Sequence, residues 1–264
     1  MLNFASQELN EWRESNNYFE SNATFSKHKS HDKNEQVKLF ADKLRVPVQG
    51  TYIERPHLTL HLKKSLEQFA ATLLTGRAGT GKTTLAADFA RQSDFNVAWY
   101  KVDNADSDWN VFASYLAGSL NQINEKFVFD NNHINKMEVA VAAELLAEKF
   151  AVAAEEKPLL IILDDLHSVF DADWFTEFFT LFLPSHKSNV HLLMTARAAP
   201  PLPLWRLRSK QVLGIMDEKL LAFTMEETIK LFRKQKLSLR AARAAHNRAY
   251  GRIAKLVEIA GRKK

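Results

Sequence analysis

The chain has 264 residues, of which 46% are hydrophobic and none is cysteine. That length and apolar content suffice for one large α/β domain with a small appendage, and the lack of thiols excludes a disulfide framework or a cysteine nucleophile. The formal net charge of +5 is unevenly distributed, because residues 233–264 hold eleven of the 36 basic residues but one of the 31 acidic residues. An acidic body therefore carries a basic tail.

The first 36 residues are rich in Asn, Ser, Lys and Glu, and Leu9, Trp12 and Phe19 are among their few apolar side chains. This composition predicts a flexible polar arm over residues 1–36, and a short helix docked on the body is the alternative. The polar start is unlike a signal peptide, and no apolar run is long enough to span a bilayer. We therefore expect a cytoplasmic protein with no membrane partner.

Residues 76–83 read G-R-A-G-T-G-K-T, which fits the phosphate-binding pattern G-x-x-x-x-G-K-[ST]. A short apolar strand is predicted before them, over residues 72–75, and a helix after them to about residue 91. This strand–loop–helix context disfavours the alternative of a chance glycine loop. Glycines let backbone N–H groups turn toward phosphate, and the helix N-terminus adds partial positive charge.

Within this motif, Lys82 is expected to reach the β- and γ-phosphates of ATP or ADP, and the Thr83 hydroxyl to ligate Mg²⁺. The segment that precedes the first strand passes over the adenine in many P-loop ATPases, which assigns Arg55 to the same site. An ordinary surface helix after Pro56 is the alternative interpretation. The predicted nucleotide-binding residues are Arg55, Gly76, Arg77, Ala78, Gly79, Thr80, Gly81, Lys82, Thr83 and Thr84.

A second buried strand is predicted over residues 96–102, and Asp and Asn residues dominate positions 103–108. These residues are expected to cap a helix over residues 109–120. The alternative is a contact with the outer shell of a metal, because ligands bind at the carboxyl ends of strands in open α/β sheets. An Ala-rich packing helix is predicted over residues 136–156.

Residues 159–163 form a continuous apolar run that ends in two aspartates. Such a run predicts a parallel strand buried on both faces. Asp164 is expected to hold Mg²⁺ opposite Thr83, and Asp165 to polarise the attacking water. Aspartate is one methylene shorter than the glutamate usual in fast hydrolases, so slow turnover is expected. The alternative is a strand end without chemistry.

The next strand is predicted over residues 189–194, and Arg197 after it is expected to sense the γ-phosphate or, alternatively, to neutralise the acidic rim. The aromatic helix before it, residues 173–183, is expected to be core on one side and to expose aromatic side chains for an interface. Residues 199–204 predict polyproline-like extended chain, residues 205–210 a basic turn, and residues 211–215 a fifth strand.

Thr224 and Glu227 predict a capping box for a helix that reaches about residue 236. Residues 237–260 predict an amphipathic helix with a basic face, which kinks or ends at Gly251. We expect this face to be solvated and to pack against the acidic body. The alternative is a contact with nucleic acid that grips phosphates without reading sequence.

Together these motifs resemble the nucleotide-binding module of the maltose-regulator class of signal-transduction ATPases with numerous domains (STAND), found in large LuxR-type transcriptional regulators. The resemblance covers residues 40–235, and its most specific parts are the phosphate loop, the segment Leu163-Asp164-Asp165-Leu166-His167 and the proline stretch that begins at Pro200. It implies nucleotide exchange as an assembly switch, with Arg197 reading the γ-phosphate.

Members of that class continue into a winged-helix domain, a repeat sensor and a DNA-binding domain, whereas this sequence ends at Lys264. Ile253 also stands where the lid motif usually has proline. The resemblance therefore implies a truncated module without the contacts that lock ADP in place.

The sequence thus predicts an α/β P-loop NTPase, AAA+- or STAND-like, with a parallel five-stranded sheet flanked by helices and a small C-terminal helical lid. The predicted units are the arm over residues 1–36, a nucleotide-binding domain over 37–215, and a partial lid with a basic C-terminal helix over 216–264. The predicted catalytic residues are Lys82, Asp165 and Arg197, and the predicted metal ligands are Thr83 and Asp164.

The expected function is a slow Mg²⁺-dependent ATPase or an ATP/ADP switch that acts through a protein partner or self-assembly, in transcriptional regulation. One alternative is a nucleic-acid-associated ATPase that uses residues 233–264. The other is an adaptor that binds nucleotide without hydrolysing it.

Overall fold

The computed structural model describes residues 39–48, 53–123, 134, 137–183 and 189–262. The predicted polar arm over residues 1–36 lies outside this set, and so do the last two lysines of the tail. None of the described helices has the length and hydropathy needed to cross a membrane.

The strands of the described residues form one parallel sheet in the order β2-β3-β4-β1-β5. They are β1 (Ala71–Thr75), β2 (Asn96–Lys101), β3 (Leu159–Asp164), β4 (Val190–Ala196) and β5 (Leu213–Met216). The predicted five-stranded parallel sheet is confirmed. Because β4 lies between β1 and β3, the carboxyl ends of these three strands lie side by side, where open parallel sheets bind ligands.

Six helices of the described residues flank the sheet: α1 (Pro56–Gln68), α2 (Lys82–Gln92), α3 (Trp109–Asn121), α4 (Val139–Ala153), α5 (Phe175–Phe182) and α6 (Leu202–Ser209). Helices α1 and α2 pack on one face of the sheet, against residues such as Trp99 and Ile162. Helices α3–α6 pack on the other face, against residues such as Tyr100 and Ile161. Both faces are therefore buried, which explains why the strands read as continuous apolar runs.

The aromatic side chains of α5 are all internal, so the expectation of an exposed aromatic interface is wrong. Phe175, Phe178, Phe179 and Phe182 are each 0% exposed. Neighbouring helices supply the covering rings, since the centroid of Phe112 of α3 lies 5.6 Å from that of Phe178. A short helix enclosed by α3, α4 and the sheet buries more than one side.

The chain after β4 also differs from the prediction, because residues 205–210 are not a turn. Helix α6 begins at Leu202, with Pro201 at its N-cap, and the N–H of Trp205 donates to the carbonyl of Pro201 at 3.1 Å. Proline is tolerated at a helix start because the first N–H groups have no partner within the helix. The extended segment therefore stops at Pro201.

Four further helices form the lid: α7 (Glu218–Leu221), α8 (Met225–Lys234), α9 (Leu239–Ala249) and α10 (Ile253–Gly261). The capping box is confirmed, because Thr224 and Glu227 each accept the other's backbone N–H, at 3.2 and 2.8 Å. The tail helix ends before Gly251 as predicted, since Tyr250 and Gly251 have φ of 50° and 73°. A small apolar cluster that includes Phe232 holds the lid together.

The basic side chains of α9 do not pack against the acidic body as expected. Arg240, Arg243 and Arg248 of α9 are exposed, while the opposite side of α9, with Ala242 and Ala245, enters the lid cluster. The amphipathic pattern was correct, but the apolar side of the helix faces the lid and its basic side faces solvent.

Candidate functional site

The phosphate loop, residues 76–81, joins β1 to α2 at the carboxyl edge of the sheet. Gly79 and Gly81 have φ of 77° and 94°, in the left-handed region that glycine adopts without strain. The N–H of Gly76 donates to the carbonyl of Ala196 at 3.2 Å, which ties the loop to the end of β4. The loop therefore presents the N-terminus of α2 toward the ends of β3 and β4, the geometry that favours an anion.

Lys82, the first residue of α2, lies folded against the phosphate loop. Its Nζ donates to the carbonyls of Gly76 at 2.6 Å and Arg77 at 3.1 Å. Burial lowers the pKa of Lys82, although the Asp165 carboxylate acts in the opposite direction. The ammonium group is thus held inside the loop by carbonyl acceptors that a phosphate oxygen can replace.

Asp164 and Thr83 lie together as the predicted metal pair requires. Oδ1 of Asp164 accepts a hydrogen bond from the Thr83 hydroxyl at 2.8 Å and another from the Thr195 hydroxyl at 2.7 Å. Burial raises the pKa of Asp164, and the two hydroxyls counteract part of that rise. Hydroxyl and carboxylate oxygens suit Mg²⁺, which keeps its other positions for water and substrate phosphates. The residues present therefore fit this ion.

Thr195 is a site residue whose role the sequence reading missed. Its side chain is fully buried, and its oxygen also accepts the N–H of Asp165 at 2.9 Å. One hydroxyl thus fixes both aspartates. In the sequence, position 195 is only a polar residue at the end of a predicted strand. Its contacts with Asp164 and Asp165 arise because β4 lies next to β3, and the sequence pattern does not give the strand order.

Asp165 and Arg197, two of the predicted catalytic residues, contact each other. Nε of Arg197 lies 3.4 Å from Oδ1 of Asp165, and Nδ1 of His167 lies 3.8 Å from the same oxygen. The Arg197 side chain is half-exposed. This placement allows Arg197 to turn toward a γ-phosphate, and it equally matches the alternative that Arg197 neutralises the acidic rim.

A cavity of about 840 Å³ extends from the phosphate loop to the junction of α1 with the lid. This volume lies in the range of small-molecule sites. Its polar end is lined by Lys82, Thr83, Asp164, Asp165 and Arg197. Its apolar end is lined by Ile53, Phe223, Ile253 and Val257. The division into a charged end and an apolar end suits a molecule with phosphates at one end and a flat ring at the other.

Some predicted nucleotide contacts point elsewhere. Arg77 and Thr80 line a second concavity, of about 510 Å³, on the outer side of the loop. The Arg77 guanidinium pairs with Glu218 of α7 at 2.6 Å, and the Arg77 N–H donates to the same carboxylate at 3.1 Å. Gly76 is also outside the residues that line the large cavity. Gly79, Gly81, Lys82, Thr83 and Thr84 do line it, as does Ala78.

Arg55 lines the large cavity, but its guanidinium is bound to the lid. It donates to Glu227 at 2.7 Å and to the carbonyls of Leu221 and Ala222 at 2.8 and 2.9 Å. It also lies over the Phe223 ring, 4.5 Å from its centroid. Arg55 therefore holds the lid beside the cavity, and its assignment to nucleotide binding stays a prediction.

The acids after β2 act as caps. Asp108 accepts the N–H of Asn110 at 2.8 Å at the start of α3, which confirms the capping interpretation, and Asp103 and Asp106 cap the 3₁₀ helix Asn104–Ser107 before it. Asp103 accepts the N–H of Ala105 at 3.0 Å, and Asp106 accepts the N–H of Asp103 at 2.7 Å. Lys43 bonds Asp106 at 2.7 Å. Neither Asp103 nor Asp106 lines the large cavity, and the alternative of an outer metal shell stays a prediction.

The lid touches the phosphate loop directly, a contact that the sequence did not reveal. The N–H of Ala254 donates to the carbonyl of Gly79 at 3.0 Å. A Cβ at Gly79 would lie 2.5 Å from the Ala254 Cβ. The only sequence signal for this contact was the glycine motif near Gly251, three residues earlier.

A family model described as an AAA domain matches residues 67–199, half of the chain. The chain belongs to the AAA domain family. The match contains the phosphate loop, both aspartates and Arg197, and an AAA domain implies nucleotide binding.

Curated relatives of this AAA domain are large regulators. The HTH-type transcriptional regulator MalT of Vibrio parahaemolyticus is 31% identical over 185 residues, which cover 69% of this chain and 20% of that protein. MalT of Vibrio cholerae is 31% identical over 202 residues, covering 75% of this chain and 22% of that protein. The chain therefore spans about a fifth of the length of these relatives. The resemblance to the nucleotide-binding module of such regulators is confirmed.

Among solved structures, the Walker-type ATPase PABY2304 of Pyrococcus abyssi is similar, with a TM-score of 0.51 and 13% identity. The alignment covers 80% of this chain and 69% of that chain. At this identity the likeness supports the AAA-type fold and nothing finer.

Proposed function

We propose that this AAA domain binds ATP with Mg²⁺, hydrolyses it slowly, and uses the bound nucleotide as a switch for association with a protein partner or another copy of itself. The observation that carries the proposal is the hydrogen bond between Thr83 and Asp164 at 2.8 Å. It joins the start of the phosphate-loop helix to the tip of β3 in one polar cluster. Lys82 lies in the same cavity.

In the proposed complex, loop N–H groups and the Lys82 ammonium bind the β- and γ-phosphates. Thr83 and Asp164 would hold Mg²⁺, and the ion supplies charge neutralisation at those phosphates when it is bound. Asp165 orients the attacking water and accepts its proton, while Arg197 turns from Asp165 to the γ-phosphate. The short reach of an aspartate at position 165 is the reason for proposing slow turnover.

The switch part of the proposal rests on the lid residues in the cavity wall. Phe223 and Ile253 line the apolar end, where the adenine would lie. Ala254 bonds the phosphate loop at Gly79. A nucleotide that enters this cavity therefore contacts both the body and the lid, so its binding can change how the two are held together. ATP has a γ-phosphate that ADP lacks, and in the proposed complex this phosphate lies at the end of the cavity that Arg197 lines.

The first test is the nucleotide itself. Purified protein is extracted with acid, and any released nucleotide is identified; retained ADP supports the switch. Calorimetry with Mg·ATP then compares wild type with Lys82→Ala, which should lose most of the affinity, and with Lys255→Ala. Lys255 is an exposed residue on α10 and serves as a matched loss of one positive charge. Equal affinity of the Lys82 variant and wild type would contradict the site assignment.

Hydrolysis is tested separately by phosphate release from wild type and Asp165→Asn. The variant preserves the shape of the side chain and removes the proton acceptor, so release should fall to background. Equal background rates in both proteins would exclude hydrolysis and favour the adaptor that binds nucleotide without cleaving it.

The MalT relatives carry the name of transcriptional regulators, and on this basis we propose a cytoplasmic role in transcriptional regulation. The chain matches only about a fifth of their length. The proposed role is that of a nucleotide-dependent module that acts through a partner.

A nucleic-acid-associated ATPase is the second candidate, and the exposed face of α9 is the observation that favours it. Arg240, Arg243 and Arg248 lie on this face. Binding of a fluorescent duplex should then weaken steeply between low and physiological salt. Reversing the charge of Arg240 and Arg243 should abolish binding, whereas the same change at Arg45, an exposed residue of the body, should not. Binding that ignores salt would refute this candidate.

A further inference from the structure

His167 approaches the same oxygen of Asp165 that Arg197 contacts. Its Nδ1 lies 3.8 Å from Oδ1, and Nε of Arg197 lies 3.4 Å from it. Both distances exceed those of well-formed hydrogen bonds. Oδ1 of Asp165 therefore lies between two donors, and neither donor is close enough to form a good hydrogen bond with it.

Nδ1 of His167 is shielded from solvent and has no hydrogen-bond partner among the described residues. A buried polar atom without a partner costs free energy, and such atoms in native structures call for an explanation. The nearby acceptors belong to Asp165: its backbone, which also acts on the pKa of His167, and its Oδ1 at 3.8 Å, which a movement of about 1 Å would bring into hydrogen-bond range.

The backbone holds the two side chains on one tight turn. Asp165 has φ of 60° and ψ of 34° and precedes the 3₁₀ helix Leu166–Val169. Its N–H is fixed by Thr195, and its carbonyl accepts the N–H of Ser168 at 3.1 Å. Closing the gap between Asp165 and His167 therefore requires side-chain rotation and no rearrangement of the turn.

The charged groups that face His167 are Asp165 on its own turn, Arg197 after β4, and Lys82 of α2. Burial lowers the pKa of His167, and Arg197 and Lys82 act in the same direction while Asp165 opposes them. A neutral imidazole carries one N–H, which can be on Nδ1. A neutral donor can hold Asp165 without removing its negative charge.

We propose that His167 is a positioning residue whose Nδ1–H donates to Oδ1 of Asp165 once Arg197 turns to the γ-phosphate. The bond replaces the lost contact with Arg197 and keeps the other carboxylate oxygen directed at the attacking water. A short aspartate needs this restraint, because it reaches the water from further away than a glutamate. The inference rests on the proposed hydrolysis.

Three variants test it in steady-state phosphate release, measured over a range of Mg·ATP concentrations. His167→Leu removes the donor and should lower kcat about tenfold, the loss expected for one hydrogen bond to a charged group, with KM unchanged. His167→Asn places an amide N–H close to the position of Nδ1 and should retain most of the rate. Ser168→Ala, on the same turn, is the control and should match wild type.

A second readout needs no turnover: long-range ¹H–¹⁵N spectra with a non-hydrolysable ATP analogue should show His167 protonated at Nδ1. The resonance is assigned by its loss in His167→Asn, and thermal melting checks that each variant folds.

A His167→Leu protein that turns over like wild type, an Asn variant as slow as the Leu variant, or protonation at Nε2 would overturn the inference alone. A wild type with no Asp165-dependent phosphate release would overturn the proposed hydrolysis and the inference with it.

Discussion

Replacing Thr195 by Val tests the polar cluster on which the site depends. The Thr195 hydroxyl donates to Asp164 at 2.7 Å and accepts the N–H of Asp165 at 2.9 Å. Valine keeps the shape of the side chain and removes both bonds. Losing a hydrogen bond to a charged group costs about 1.5–3 kcal/mol, and leaving a buried N–H unpaired costs about 1–3 kcal/mol. Some relaxation is expected, so the free energy of unfolding should fall by about 3 kcal/mol at neutral pH.

The pH dependence of this loss checks its cause. Burial raises the pKa of Asp164 above its value in the unfolded chain, so the folded protein binds that proton more tightly. The free energy of unfolding therefore falls as the pH rises from the ordinary carboxyl range through the raised pKa. The Thr195 hydroxyl opposes the rise, because it donates to the ionised carboxylate. The free energies of unfolding of wild type and Thr195→Val should thus differ less as the pH falls and Asp164 becomes protonated in both proteins.

The measurement is urea unfolding without nucleotide, followed at neutral pH and at an acidic pH at which the protein is still folded. Thr195→Ser retains the hydroxyl and controls for the change at this position. If the Val and Ser variants are equally stable, or if the difference between Val and wild type is the same at both pH values, then the hydroxyl does not stabilise the ionised Asp164.

Two further predictions concern how the lid is held. Gly79→Ala should destabilise the protein by about 2 kcal/mol, because the position has φ of 77° and the new Cβ would lie 2.5 Å from that of Ala254. In the double variant Gly79→Ala/Ala254→Gly the clash between the two Cβ atoms is removed, so urea unfolding should show that part of the lost stability recovered. A double variant no more stable than Gly79→Ala would argue against the contact between residues 79 and 254. Arg55→Met should cost about 3 kcal/mol, because it leaves Glu227 buried without its partner. Burial acts to raise the pKa of Glu227, but Arg55 and the Thr224 N–H hold it below its ordinary value. This stabilisation is present above the ordinary carboxyl pKa and is lost in acid, so the free energies of unfolding of wild type and variant should differ less there; a difference that does not narrow in acid would refute the pairing.

The local parts of the fold were readable because each depends on neighbours in sequence. The strand β3 followed from an apolar run, and the capping box from Thr224 and Glu227. The misread segments were those with conflicting local signals. The basic turn predicted over residues 205–210 is mostly helix α6, whose start at Leu202 agrees with the preference of proline for the first turn of a helix. For α5 the sequence predicts one core side and some exposed aromatic side chains, because periodicity shows one buried face and cannot show a second covering layer.

What the sequence by itself determined is the chemistry of the site: a glycine loop with Lys82 and Thr83, and two aspartates at a strand end. These are spaced by local backbone geometry, so the residue order suffices. Only the tertiary structure decided which groups meet. Thr195 bonds Asp164 across 31 residues, and Arg55 bonds Glu227 across 172. Such contacts depend on β4 lying between β1 and β3 and on the lid docking beside α1. The strand order and the position of the lid are set by the packing of the whole core, and a local sequence pattern does not predict that packing.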